Sequence, residues 1–217
     1  MAVDVTLKAD ITVVCGSSGS GKSGWIKQQL KGRKRVIVWD VDEEYTEESG
    51  FVAVRSIREL LGLLKRRKTG RFAYVPESLK EFNAWCMAAF YWGYCTAIAE
   101  ETADVTTPSK APAGWGILVR RGRKRGVSIF GVTQRPAESD KTIMGNASMI
   151  HCGYLELLPD RQYMAVRMGL SVEDLENLEE LEFFQKRKKV ITKGKVIFKD
   201  GASKNKTTRT SASKSRA

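Results

Sequence analysis

Short apolar runs alternate along the chain with polar, charged or glycine-rich segments. The runs occupy residues 11–15, 36–39, 51–54, 72–75, 94–99, 127–132 and 148–155. Short runs of this kind, rich in β-branched residues and bounded by turn residues, predict buried strands. Because helix-like segments separate most of them, the pattern predicts an α/β fold with a mostly parallel central sheet flanked by helices.

The segments between the runs predict helices and one long loop. Helices are expected at residues 25–30, 78–91, 115–124 and 159–168. Ser56 with Glu59, and Ser171 with Asp174, have the spacing of capping boxes that begin two further helices. The proline-containing segment 102–114 predicts a loop.

The C-terminal part of the chain predicts a hairpin followed by a tail. Residues 183–192 and 195–198 flank Lys193 and Gly194, which are typical of a hairpin turn at the edge of a sheet. From residue 200 onward no hydrophobic side chain is larger than Ala, so this stretch cannot bury enough surface to fold. We therefore expect one folded domain, residues 1–199, and a basic, disordered tail, residues 200–217. The tail would bind a phosphate backbone or a partner's acidic surface, or act only as a solubilising extension.

The composition limits the classes of protein to consider. The 217 residues carry a net charge of +12, which commonly indicates a polyanionic partner such as nucleic acid, although a solvated basic surface is the simpler alternative. The four cysteines show no C-x-x-C spacing and predict buried, reduced thiols in a cytosolic protein. With His151 as the only histidine, neither a zinc site nor a Ser-His-Asp triad is expected.

Two segments bear on membrane association. The N-terminus has no apolar signal-peptide region. The uncharged run at residues 84–99 is shorter than the roughly 18 to 20 residues that a bilayer requires. It predicts the end of a core helix followed by a core strand rather than a membrane span.

The pattern G-x-x-x-x-G-K-[ST] follows the first apolar run, at residues 16–23. Its members are Gly16, Ser17, Ser18, Gly19, Ser20, Gly21, Lys22 and Ser23. Glycines allow the loop to turn its N–H groups toward a phosphate, and the following helix adds its positive N-terminal end. Lys22 is expected to contact the β- and γ-phosphates of ATP, and Ser23 to bind Mg²⁺. A flexible Gly/Ser turn is the alternative.

Polar side chains follow three other predicted strands. Residues 40–45 form an acidic cluster that either orders the site or is a solvated loop. Glu100 and Glu101 end the strand where a P-loop enzyme needs a carboxylate near Mg²⁺ and another near the attacking water, so we assign the metal role to Glu100 and the water to Glu101. Gln134, at the end of the next strand, can contact both the γ-phosphate and the water. The alternatives are a helix-capping role for the two glutamates and a turn residue for Gln134.

These motifs together resemble the FtsK/HerA superfamily of DNA-pumping ATPases. The similarity lies in the order and spacing of GSSGSGKS at residues 16–23, WDVDEEY at 39–45, the glutamate pair at 100–101, RRGRKRG at 120–126 and VTQRP at 132–136. It is greatest to the genome-packaging ATPases of tailless, membrane-containing icosahedral phages of the tectivirus type. One departure is Glu100, since the family generally has Asp at this position.

The resemblance implies a RecA-like P-loop fold and a specific activity. The protein is expected to form a ring, a hexamer, that translocates double-stranded DNA into a procapsid without reading its sequence. It implies an arginine finger from the neighbouring subunit, which aligns with Arg123, with Arg121 in reserve, and a sensor role for Gln134. Capsid vertex proteins would be partners, and the protein would occupy the host cytoplasm and the virion.

Three other functions are compatible with parts of this pattern. The first is a filamentous-phage assembly ATPase of the same superfamily, for which a membrane segment would be expected. The second is a small-molecule P-loop kinase, although no clear Arg-rich lid is present. The third is a vertex or DNA-binding protein that binds nucleotide without hydrolysing it, which Glu100 would permit.

Overall fold

A computed structural model describes residues 9–198, and the predicted tail at residues 200–217 lies outside them. Nine strands form one sheet in the order β3-β4-β2-β5-β6-β1-β7-β8-β9. The strands are β1 Ile11–Cys15, β2 Arg35–Trp39, β3 Phe51–Val54, β4 Gly70–Tyr74, β5 Thr96–Ala99, β6 Ser128–Thr133, β7 Met149–Gly153, β8 Glu182–Arg187 and β9 Val190–Lys195. Strands β1 to β7 are parallel, and β8 and β9 are antiparallel.

Eight α-helices connect the strands of the described chain. They are α1 Lys22–Gln29, α2 Ile57–Arg66, α3 Phe82–Trp92, α4 Thr102–Val105, α5 Ala113–Arg121, α6 Lys141–Asn146, α7 Leu158–Met168 and α8 Val172–Glu176. Short 3-10 helices cover Leu79–Glu81 and Gly122–Arg125. The mostly parallel α/β fold with an edge hairpin is therefore confirmed.

The alternation along the central strands explains why the sheet is covered on both faces. Ile37 and Trp39 of β2 join one buried hydrophobic cluster, while Val36 and Val38 join a second cluster on the opposite face. Successive strand side chains point to opposite faces, so a continuous apolar strand requires a helical layer on each side. All four cysteines are buried and unpaired.

The predicted hairpin turn was placed wrongly. Residues 188–189 form the turn between β8 and β9, and Lys188 adopts a left-handed conformation there. Gly194 instead lies within β9 opposite Phe183, and a Cβ at Gly194 would lie 2.6 Å from the Phe183 ring. The glycine is thus explained by an aromatic ring that covers the strand, a contact that turn propensity does not reveal.

One predicted helix cap and part of one predicted loop were also wrong. Ser56 is the N-cap of α2, but its side chain accepts no capping hydrogen bond, so the capping box with Glu59 does not form. Ser171 and Asp174 do form the predicted box. The predicted loop at 102–114 contains the short helix α4, where the Thr106 hydroxyl donates to the carbonyl of Thr102 at 2.6 Å.

The uncharged run at residues 84–99 is divided as expected. Helix α3 ends at Trp92, Gly93 follows with positive φ, and β5 begins at Thr96. Within residues 9–198, none of the helices combines the length and the apolar character that a bilayer crossing requires.

The parallel arrangement defines two edges of the sheet. The strands β1 to β7 all end at one edge, which we name the carboxyl edge, and begin at the other, which we name the amino edge. In open α/β sheets ligands bind outside the carboxyl ends of the strands. The segments that follow β1, β2, β5 and β6 therefore determine the candidate site.

Candidate nucleotide-binding site

The glycine-rich loop connects the buried strand β1 to helix α1 at the carboxyl edge. Gly21 is the N-cap of α1 and adopts the left-handed conformation, with φ of 88°. Gly16 has no room for a side chain, because a Cβ there would lie 2.4 Å from the Ser20 hydroxyl. Backbone N–H groups at such a turn, together with a helix N-terminus, form an anion-binding site.

Lys22 is held against the loop by two backbone carbonyls. Its ammonium group donates to the carbonyl of Gly16 at 2.8 Å and to that of Ser17 at 3.1 Å. Ser17 is in turn held by the end of β7, since its N–H donates to the Tyr154 carbonyl at 2.7 Å and its hydroxyl accepts from the N–H of Glu156 at 2.8 Å. The positive charge of Lys22 is thus fixed at the mouth of the loop.

A cavity of about 560 Å³ opens above this loop. It brings together side chains from the loop, from the segments after β2, β5 and β6, and from the segment after β9. The lining residues are Ser18, Gly19, Gly21, Lys22, Ser23, Gly24, Asp42, Glu44, Glu100, Glu101, Gln134 and Phe198. Glu100 and Glu101 therefore lie at the same edge of the sheet as Ser23.

Glu101 and Gln134 contact each other directly. The Gln134 side-chain amide donates to Glu101 Oε1 at 2.8 Å, and the Gln134 backbone N–H donates to Oε2 at 3.3 Å. The contact arises because β5 and β6 are adjacent and parallel. Glu101 adopts a left-handed conformation with φ of 43°, which is uncommon for a residue other than glycine. Gln134 therefore holds both oxygens of the Glu101 carboxylate, and Glu101 lines the cavity.

The Glu100 carboxyl is buried in the wall of the cavity. Burial raises its pKa to about 8, and the negative charges of Glu44 and Glu101 add to this effect. The Tyr45 hydroxyl donates to Glu100 Oε1 at 2.8 Å and acts in the opposite direction. A cation bound in the cavity would favour the ionised carboxylate.

The donor atoms of the cavity suit Mg²⁺ bound together with a nucleotide. Within residues 9–198, no group of three or more His, Cys, Asp or Glu side chains is arranged to hold a metal ion by itself. Magnesium is typically held by only one or two protein oxygens, with phosphate oxygens and waters completing its octahedron. The Ser23 hydroxyl and the Glu100 carboxylate, both on the cavity wall, meet this requirement.

The acidic segment after β2 is part of the site and is not a solvated loop throughout. Asp40 is fully buried, and its two oxygens accept from the N–H groups of Glu44 and Tyr45, each at 2.9 Å. Burial raises the pKa of the Asp40 carboxyl to about 6. Asp40 thereby fixes the segment that brings the Tyr45 hydroxyl to Glu100. Sequence reasoning missed this role of Tyr45, because nothing in its spacing distinguishes it from a core aromatic residue.

The structure does not bring Arg121 and Arg123 to the site of their own chain. Both lie before β6, at the amino edge, whereas Gln134 follows β6 at the carboxyl edge. The 6 residues of β6 span about 20 Å, at roughly 3.3 Å per residue, and this length separates the two arginines from Gln134. Both side chains are exposed, and neither forms an ion pair with another described residue.

The fold and the loop geometry define a P-loop NTPase. Solved structures that share the fold include two of particular interest. The genome packaging NTPase B204 from Sulfolobus turreted icosahedral virus 2, in complex with AMPPCP, matches with a TM-score of 0.73 and 18% identity over 87% of this chain and 98% of that chain. VirB4 of Thermoanaerobacter pseudethanolicus matches with a TM-score of 0.65 and 13% identity over 87% of this chain and 90% of that chain.

A curated relative has much higher sequence identity. Protein P9 of Pseudoalteromonas phage PM2 is 38% identical over 187 residues, which cover 82% of this chain and 84% of that protein. No family model matches the sequence. The chain therefore belongs to the same family as Protein P9. The relationship to a phage protein and the P-loop fold that the sequence motifs predicted are confirmed.

Proposed function

We propose that this protein hydrolyses ATP to translocate double-stranded DNA into a viral procapsid. The observation that carries the proposal is the convergence of Lys22, Ser23, Glu100 and the Glu101–Gln134 pair on one cavity at the carboxyl edge. The relationship to a phage protein and the shared fold with a viral genome packaging NTPase support the packaging role.

Each residue of the cavity has a separate proposed role in ATP hydrolysis. Lys22 leaves the carbonyls of Gly16 and Ser17 to contact the β- and γ-phosphates. Ser23 and Glu100 would hold Mg²⁺, which would neutralise charge on the phosphate oxygens. Glu101 orients the attacking water and accepts its proton. Gln134 holds the Glu101 carboxylate in place and reports the state of the γ-phosphate to β6.

The position of Arg123 supports catalysis across a subunit interface. Since the amino edge lies about 20 Å from the cavity of the same chain, the Arg123 guanidinium reaches a nucleotide only in another copy. Repeated head-to-tail contact of this kind closes into a ring, which we propose is a hexamer. An arginine supplied from a neighbour stabilises charge on the transferred phosphoryl group, and Arg121 is the reserve candidate.

The amino edge supports binding to the DNA backbone. Its connections carry a dense set of cations, namely Lys31, Arg33, Lys34, Arg35, Lys65, Arg66, Arg67, Lys68, Arg120, Arg121, Arg123, Lys124 and Arg125. No ion pair within residues 9–198 includes any of them. A motor must pass any sequence, so contacts to phosphate rather than to bases suit its task.

We further propose capsid vertex proteins as partners, with the protein acting in the host cytoplasm and at the packaging vertex of the virion. The basic tail is one candidate for the vertex contact. Negative-stain imaging with an ATP analogue and DNA would test the ring. A monomer under all conditions would contradict it.

The central experiment measures ATP hydrolysis by the full chain with and without double-stranded DNA. We expect hydrolysis that DNA stimulates. Transfer of phosphate to a small acceptor instead would identify a kinase. No hydrolysis under either condition would identify a nucleotide-dependent structural or DNA-binding protein. Either of these two outcomes would contradict the proposal that the protein is a DNA-translocating motor.

A further inference from the structure

The chain crosses the start of helix α1 after β9. Val196 is buried, and its N–H donates to the Leu181 carbonyl at 2.9 Å. The Gln28 side-chain amide then donates to the carbonyl of Ile197 at 2.9 Å, which ties the segment to α1. The next residue, Phe198, reaches the wall of the nucleotide cavity. Its side chain is 53% exposed, although its ring lies against the helix.

Gly24 explains how the ring approaches so closely. This glycine follows the G-x-x-x-x-G-K-[ST] pattern, and its φ lies outside the positive range, so its backbone does not require glycine. Glycine within a helix costs about 1 kcal/mol relative to alanine. A Cβ at Gly24 would lie 2.4 Å from Cε1 of Phe198. The absence of a side chain at Gly24 therefore leaves the space, which we name the seat, that the Phe198 ring occupies.

The position of this ring relative to a bound nucleotide follows from the loop. A P-loop holds the α- and β-phosphates with its backbone, and its lysine points toward the γ-phosphate. In this cavity the γ-phosphate end is marked by Glu101 and Gln134. The nucleoside consequently leaves the loop on the side where α1 begins, which is where Gly24 and Phe198 lie.

We propose that Phe198 is the stacking platform for the base of a purine nucleoside triphosphate, with Gly24 as the seat of the ring. The inference rests on the proposed function, and it adds the residue that binds the nucleoside portion. An exposed aromatic face next to a triphosphate site offers a base a partner for stacking. Every base has such a face, so Phe198 increases affinity for ATP and GTP alike.

The test compares ATP with inorganic tripolyphosphate, which has the phosphates and lacks the base. Affinities of both are measured by calorimetry on the full chain in the presence of Mg²⁺. In Phe198→Ala we expect ATP affinity to fall about tenfold, a typical effect of removing one stacking partner, while tripolyphosphate affinity stays unchanged. Phe198→Trp should retain the affinity of the unmodified protein. Gly24→Ala should weaken ATP binding without a further loss in the double variant with Phe198→Ala.

Ile197→Ala is the matched control, since Ile197 is the 75% exposed neighbour of Phe198 and does not line the cavity. It should bind ATP normally. Unchanged ATP affinity in Phe198→Ala, or an equal loss for ATP and tripolyphosphate, would overturn the platform and leave the proposed function standing. Failure of the unmodified chain to bind either ligand would overturn both.

Discussion

The two edges of the sheet differ in charge and in how their charged groups are paired. At the carboxyl edge, Arg55 pairs with Glu43, and Arg135 pairs with Asp160 at 3.0 Å. At the amino edge, cations crowd together, and Arg35 donates to the carbonyls of Trp92, Gly93 and Tyr94 rather than to a carboxylate. The first edge is an acidic site built around one fixed lysine, and the second is a basic surface.

Helix direction explains part of this difference. Helices α1, α2, α3 and α5 run back from the carboxyl edge to the amino edge, so their positive ends lie at the carboxyl edge, where α1 begins at the cavity, and their carbonyl ends lie near the cations. Dipole complementarity accounts for the last basic residue of a helix. It does not require four consecutive cations at residues 65–68. The surplus positive charge at residues 65–68 is therefore available to bind an external anion.

The largest effect is expected at the carboxyl edge. Lys22→Ala should abolish ATP hydrolysis, because it removes the cation that contacts the β- and γ-phosphates. Phosphate release is the measurement. Lys80→Ala is the control, since Lys80 is an exposed lysine that follows β4 at the same edge and does not line the cavity. Hydrolysis that persists in Lys22→Ala would contradict the assigned site.

At the amino edge, Arg123→Ala should leave ATP binding intact and lower hydrolysis about a thousandfold, because the guanidinium acts only on the transition state of a neighbouring copy. Mixing it with Lys22→Ala protein should restore part of the activity, since some interfaces then combine an intact cavity with an intact arginine. Lys189→Ala, an exposed cation of the hairpin turn, is the control. No recovery at any mixing ratio would rule out action in trans.

The basic surface should bind DNA in a salt-dependent manner. Replacing Lys65, Arg66 and Arg67 together with Gln should weaken binding about tenfold near physiological salt. It should also lower the slope of log affinity against log salt by about one for each lost phosphate contact. Fluorescence anisotropy with duplexes of two unrelated sequences measures both. The control replaces the exposed Lys80 and Lys110 with Gln, and an affinity that does not change with salt would refute backbone binding.

The smallest effect, counted per pH unit, concerns stability at the carboxyl edge. Because the Glu100 pKa is raised to about 8, the folded chain keeps a proton that the unfolded chain releases. The free energy of unfolding should therefore fall as pH rises between about 4.5 and 8, by roughly 1 kcal/mol per pH unit from this group. Urea denaturation with a chelator present measures it.

Glu100→Gln should remove this fall, and Tyr45→Phe should extend it to higher pH, since the hydroxyl favours the charged carboxylate. An identical pH profile in Glu100→Gln and the unmodified protein would show that Glu100 is ionised in the free site. The same Glu100→Gln variant should hydrolyse ATP poorly, because it lacks the carboxylate that would hold Mg²⁺. Glu100 therefore serves the proposed function although its burial lowers the free energy of unfolding.

Much of the carboxyl edge was predictable because the relevant signals are local. The loop at residues 16–23 is a contiguous pattern, and the glutamates at 100–101 and Gln134 each follow a short apolar strand. Parallel strands end at a common edge, so their meeting required only the correct strand assignment. The hairpin was predicted as an element, yet its turn was misplaced, because the reason for Gly194 is the ring of Phe183 on the neighbouring strand.

The phosphate loop, the strands and the longer helices could be inferred from local sequence, since these depend on residues close together in the chain. Three relations came from the tertiary structure: Tyr45 donates to Glu100, Phe198 lies on Gly24, and Arg123 is remote from its own cavity. These relations depend on strand order and on contacts between distant segments, such as residues 24 and 198. Local propensity carries no information on which distant side chains meet, because tertiary packing sets it.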